Sequence, residues 1–285
     1  MILDVLLDAA KDCLKDLPFL FVAFLLLEAL EHRASEKMRS ALRDAGGFGP
    51  AVGAALGCVP QCGFSIMASE FYAGGVISLG TLLAVFLSTS DEAIIILLSN
   101  PEYLREVGLL ILTKITIGLI GGYLVFFLDR LLRAKYHFPD KSKEHRIDHS
   151  ECSTEEGGIL KAALKRTGEV LLFLFLFTFA LNLLLELIGM ENLSRILLAN
   201  SVFQPVLAAF IGLIPNCAAS VILTQLFVDG VISFGSAISG LCSAAGLGLL
   251  VLWRTNRDKT ENLLITVILL FISILSGVVL QILVG

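Results

Sequence analysis

Two stretches of this 285-residue chain, Val231 to Trp253 and Asn262 to Gly285, contain no Asp, Glu, Lys or Arg. Each is long enough to cross roughly 30 Å of hydrocarbon at about 1.5 Å per residue. Other apolar stretches carry one or a few ionisable groups and still read as spans: Leu17 to Leu30 with Glu28, Val107 to Leu128 with Lys114, and Thr167 to Ile188 with Glu169 and Glu186. With 56% apolar and only 16% charged residues and a mean hydropathy of +0.86, the chain exceeds what one soluble core needs. The first sixteen residues set Asp4, Asp8, Lys11, Asp12, Lys15 and Asp16 among Leu and Ala. That pattern predicts an interfacial helix leading into the first span rather than a cleaved signal.

At an offset of 155 residues the segment Phe48 to Gly80 aligns without a gap to Phe203 to Gly235, matching at 12 of 33 positions. The matches include Pro50 with Pro205, Gly57 with Gly212, Pro60 with Pro215, Cys62 with Cys217 and Ser65 with Ser220, and Gly75-Val76-Ile77-Ser78 recurs as Gly230-Val231-Ile232-Ser233. Apolar composition raises chance matching but does not place Pro, Cys and Gly in register. Basic residues then give the orientation of each copy. Residues 31–46 carry Arg33, Lys37, Arg39 and Arg43, while the equivalent 189–200 has only Arg195; residues 99–106 have only Arg105, while 254–261 has Arg254, Arg257 and Lys259. The bias is opposite in the two copies. The stretch 129–166 holds nine Lys or Arg, which places it in the cytoplasm and gives each half an odd number of crossings. The expected fold is an all-α polytopic membrane protein of two inverted-topology repeats. The first repeat covers 1–130 and the second 161–285, joined by a polar cytoplasmic linker at 131–160. Such a layout is common among secondary transporters.

Within each repeat one apolar segment is interrupted by proline followed by polar side chains: Pro60, Gln61, Cys62 and Ser65 in the first, Pro215, Asn216, Cys217 and Ser220 in the second. With Gly57 and Gly212 just upstream, these predict helix breaks, either as re-entrant hairpins or as pairs of short tilted spans at 47–74 and 202–229. Broken backbone at membrane depth is tolerable only where it lines a cavity or binds something polar. Gln61, Cys62, Ser65, Asn216, Cys217 and Ser220 are therefore the candidate substrate contacts, against the plainer reading that Pro and Gly merely kink helices and Cys fills space. Asp91 and Glu92, in Ser88-Thr89-Ser90-Asp91-Glu92, and Glu70 are candidate proton-coupling carboxyls. The second repeat has Ser243-Ala244-Ala245-Gly246-Leu247 and Gln225 at the matching positions. The alternative for Asp91 and Glu92 is a wetted span end; for Lys114, a counter-ion to one of these acids, it is a plain buried ion pair. In the linker, His145 and His149 share one face if helical and Cys152 follows a turn later, a possible transition-metal set beside the reading of a solvated polar segment. Six cysteines here define no disulfide framework.

The segments Gly57-Cys58-Val59-Pro60-Gln61-Cys62-Gly63-Phe64-Ser65, Ser88-Thr89-Ser90-Asp91-Glu92 and Ile214-Pro215-Asn216-Cys217-Ala218-Ala219-Ser220, with a His-bearing linker between halves, resemble the ten-transmembrane heavy-metal exporter family, also labelled arsenic-efflux-like permease or manganese transporter. The resemblance covers nearly the whole chain. It implies about five transmembrane or half-spanning helices per repeat and metal or metalloid export across a bacterial or archaeal inner membrane. Cys62, Cys217 and Asp91 would then serve as metal ligands and protons as the coupling ion. Thiolates favour soft ions such as Zn(II), Cd(II) or arsenite, while amide and carboxylate oxygens suit Mn(II). No cofactor, nucleic acid or catalytic residue is expected, no Walker motif is present, and inverted repeats suit either a monomer or a homodimer. Two other functions fit the same residues: a membrane thiol-disulfide electron carrier using Cys62 and Cys217, which trapping of a mobile disulfide would reveal, and a permease for a small organic solute.

Overall fold

The computed structural model describes residues 47–59, 63–89, 104–136, 203–215 and 217–284, with positions 17–18, 21–22, 25, 93–94, 97–98, 164, 167–168, 171–172, 175–176 and 179. The described residues form helices: α1 (Gly49–Gly57), α2 (Gly63–Ala73), α3 (Leu79–Ser88), α4 (Leu104–Tyr136), α5 (Gln204–Gly212), α6 (Cys217–Val228), α7 (Phe234–Ser243), α8 (Leu247–Thr255) and α9 (Lys259–Val284). No strand occurs among them. The starts of α1 and α5, α3 and α7, and α4 and α9 are each 155 residues apart (204 less 49, 234 less 79, 259 less 104). The interfacial helix expected before residue 17 and most of the spans expected at 17–30 and 167–188 lie outside the described residues.

The matched residues explain this recurrence locally. Pro50 and Pro205 occupy the first turn of α1 and α5, where a missing N–H costs nothing and the fixed φ suits a helix. The repeated Gly-Val-Ile-Ser run is a helix-to-helix connector. Gly75 and Gly230 both adopt φ +70, and Val76 N donates to Phe71 O at 2.8 Å as Val231 N does to Leu226 O at 2.9 Å. Ser78 and Ser233 then cap the next helix, each side chain accepting from a backbone N–H at 3.2 Å, that of Thr81 and of Ser236. Only glycine takes the positive φ without steric cost. Gly230→Ala is expected to lower stability by about 1–2 kcal/mol, read as a lower melting temperature of the detergent-purified protein.

Helices α3 and α7 form the centre. Every residue from Gly80 to Ser88 and from Gly235 to Ser243 is buried, as befits helices that are apolar or small-residue on all sides. The long helices α4 and α9, 33 and 26 residues, flank them. A Cβ on Gly80 would lie 2.5 Å from Gly122 O, and one on Gly235 would lie 2.6 Å from Gly277 O. These are backbone-to-backbone crossings of the kind that small residues permit in membranes, and again the positions are 155 apart. The outer faces of α4 and α9 expose Leu112, Ile120, Leu124 and Phe127, and Leu264, Val267, Phe271 and Leu275, a surface suited to lipid. Helices α4 and α9, and α7 with α8 taken together, are long and apolar enough to cross a membrane.

The run from Val231 to Trp253, expected as a span, is long and apolar enough for one but is interrupted within: α7 ends at Ser243 and α8 begins at Leu247. Gly246 adopts φ 57 and ψ −142, which turns the chain out of helical geometry and is open essentially to glycine alone. Just before it, Ala244 (φ −74, ψ 67) makes an inverse γ-turn, so Ala245 N donates to Ser243 O at 2.8 Å, away from the carbonyl of Leu241 four residues back. The two halves meet where α2 packs on α8 and α3 packs on α7. At the first crossing Ser69 Oγ donates to Gly248 O at 2.7 Å.

Candidate functional site

The proline-bearing segments do separate helices. Helix α1 stops at Gly57 and α2 starts at Gly63; α5 stops at Gly212 and α6 starts at Cys217. Both exits are built alike. Cys58 (φ −72, ψ −15) and Leu213 (φ −67, ψ −16) close α1 and α5. Val59 N then donates to Leu56 O, and Ile214 N to Ile211 O, each at 3.1 Å. Gly57 and Gly212, read as break residues, stand at these helix ends and also make close crossings. A Cβ on Gly57 would sit 2.6 Å from Val85 O of α3, and one on Gly212 would sit 2.8 Å from the Gly240 carbonyl carbon of α7.

Among the expected site residues, Pro60, Gln61, Cys62, Asp91, Glu92, Asn216, His145, His149 and Cys152 lie outside the described residues, and Cys217 is described only as the first residue of α6. Pro215 follows the end of α5, partly exposed. Ser65 is fully buried at the α2–α8 crossing, where a Cβ on Gly248 would lie 2.7 Å from its backbone. Ser220 is half-buried on α6, its carbonyl accepting from Thr224 Oγ1 at 2.7 Å. No group of three or more His, Cys, Asp or Glu gathers among the described residues.

Besides the Ser69–Gly248 contact, two polar arrangements join the halves among the described residues. At the centre, Lys114 of α4 is fully buried. Its Nζ donates to Thr89 O, at the end of α3, and at 2.7 Å to Leu241 O, in the last turn of α7. At one end of the bundle Glu70, 2% exposed, accepts from Thr255 Oγ1 at 2.8 Å. Beside it Tyr72 Oη donates to Glu261 Oε1 at 2.9 Å and Asn256 Nδ2 to Glu261 Oε2 at 3.1 Å. Asn256 Nδ2 also donates to Asn262 Oδ1 at 2.8 Å, and Asn262 Nδ2 to Asn256 O at 3.0 Å. Buried polar groups of this density persist only when mutually satisfied. Tyr72, Thr255, Asn256, Glu261 and Asn262 were not singled out from sequence. The available signal was two Asn and a Glu clustered at the mouth of the most apolar run in the chain.

Together, the buried broken helices, the apolar flanking helices and the polar groups bridging two halves define a multi-span membrane protein with interrupted helices at its core. The chain belongs to the family described as "Putative, 10TM heavy-metal exporter", which it matches over residues 2–185 and 169–284. No curated protein and no solved structure matches it.

Proposed function

We propose that this protein is a secondary transporter exporting a heavy-metal or metalloid ion across a bacterial-type inner membrane. In this reading residues 1–130 and 161–285 are inverted repeats, 131–160 is a cytoplasmic linker, and substrate binds between the two Pro-amide-Cys breaks. The observation that carries it is the paired interruption of α1/α2 and α5/α6 at one spacing and with one exit geometry, in a member of a heavy-metal exporter family. Backbone left unpaired at such breaks is held by cargo or by polar side chains. Gln61, Cys62, Asn216, Cys217 and Ser220 supply the contacts. Ser65 reaches the substrate when α2 and α8 part, the kind of movement that rocking one repeat against the other requires.

Asp91 and Glu92 exchange protons where α3 ends, and Glu70 closes one end of the pathway through Thr255. That end carries Arg254, Arg257 and Lys259, so it faces the cytoplasm. The test is the melting temperature of the detergent-purified protein with Mn(II), Zn(II), Cd(II) or arsenite. One ion should raise it, and Cys62→Ser/Cys217→Ser should remove the rise. A response absent for every ion, or surviving in that variant and lost only when residues 137–156 are deleted, would refute the paired-break site.

A further inference from the structure

The geometry points to a cation-binding site at the converging carboxyl ends of α3 and α7, occupied by the protein's own Lys114 ammonium. Each helix end presents carbonyls without intrahelical partners and the negative end of a helix dipole. The break at Ala244–Gly246 creates the acceptor on α7. In an unbroken helix Ala245 N would take Leu241 O; here it takes Ser243 O, and Leu241 O accepts from Lys114 Nζ instead. On α3 the chain leaves helical geometry at Thr89 (φ −58, ψ 128), and Thr89 O is the second acceptor. One ammonium thus serves a helix end from each half.

Burying a lysine inside a membrane bundle is costly, and nothing in the repeat demands one: the position 155 residues on is Leu269, also fully buried. A single cation suffices because the two helix ends meet at one place. Carboxyl ends of half-helices are where transporters hold coupling cations. Given the transporter reading above, a tethered ammonium fills the place where Na⁺ or K⁺ would otherwise bind.

The test uses full-length Lys114→Ala protein, which leaves a void the size of n-propylammonium, and Lys114→Met, which keeps the bulk without the charge. Melting is followed in detergent with choline chloride, NaCl, KCl or n-propylammonium chloride. Wild type should melt alike in all four. Lys114→Ala should melt lower in choline and recover at least half of the loss, saturably, with n-propylammonium or an alkali cation; Lys114→Met should melt lower and recover nothing. A folded Lys114→Ala that no cation restores would overturn the site. So would a Lys114→Met protein that melts like wild type, an outcome that decides the matter even if the alanine variant does not fold. The heavy-metal response of the wild type is read separately. Its absence alongside rescue by n-propylammonium would count against the exporter reading and leave the cation site standing.

Discussion

Gly212→Leu is expected to yield no monodisperse folded protein, whereas Gly212→Ala yields a protein of reduced melting temperature. Gly212 closes α5 against α7, and any Cβ there would collide with the Gly240 carbonyl oxygen, with Ser243 Oγ at 2.5 Å and with Gly240 C at 2.8 Å. A side chain in the way could change rotamer, but a backbone carbonyl cannot. Helix α7 also has no room to retreat, because Gly235 on it crosses Gly277 of α9 at contact distance. Ser243 Oγ would be pushed off Ala209 O, to which it donates at 2.7 Å. Overpacking of cores that can adjust costs about 1–3 kcal/mol, and this position lacks the adjustment. Gly57→Ala is the internal comparison: its nearest neighbour is the Ser88 hydroxyl, which can rotate, with Val85 O behind it at 2.6 Å, so a smaller loss is expected. Fluorescence-detected size exclusion and thermal melts in detergent read all three. A Gly212→Leu protein melting like wild type would mean that the α5–α7 crossing is not as tight as described.

These glycines also show what was legible in sequence. Repetition at 155 residues marks positions where geometry is demanding, and the structure gives most of them a local reason: Pro50 and Pro205 start helices, Gly75 and Gly230 take positive φ, and Ser78 and Ser233 cap. Segment class was readable from hydropathy, and the separation of helices between Gly57 and Gly63 and between Gly212 and Cys217 from the proline that each of those segments carries. The break at Ala244–Gly246 was not, since Ser, Ala and Gly leave hydropathy unchanged and a glycine in an apolar run reads equally well as a packing residue. The position of Lys114 in an apolar run suggested a counter-ion to Asp91 or Glu92, which lie outside the described residues. Its carbonyl acceptors come from two segments more than a hundred residues apart, and no local pattern encodes that pairing. The same holds for Glu70 and Thr255, whose contact exists only because α2 of one half packs on α8 of the other.

Glu261 and Glu106, which are 155 residues apart, should respond unequally to replacement by leucine. Glu261 accepts from the half-buried Tyr72 Oη and from Asn256 Nδ2, so Glu261→Leu removes the acceptor of both bonds, Asn256 Nδ2 keeping its bond to Asn262 Oδ1. Hydrogen bonds to a charged acceptor contribute about 1.5–3 kcal/mol each, and a combined loss of about 2–3 kcal/mol is expected, short of additivity because both donors share one carboxylate and Asn256 Nδ2 retains a partner. At the 155-residue offset the sequence carries none of the partners of Glu261: Phe227 corresponds to Tyr72, Pro101 to Asn256 and Val107 to Asn262. Glu106 Oε2 is buried with no hydrogen-bond partner. Glu106→Leu therefore removes an unsatisfied polar atom and forfeits only a favourable charge in the first turn of α4, a term of about 0.3–1 kcal/mol, leaving stability within about 1 kcal/mol of wild type in either direction. Melting temperatures of the two variants in one detergent provide the comparison. Equal losses would show that the two carboxylates do equivalent work. Loss confined to Glu261→Leu would show that a carboxylate holds the α2–α9 contact and that its counterpart in the first half does no such work.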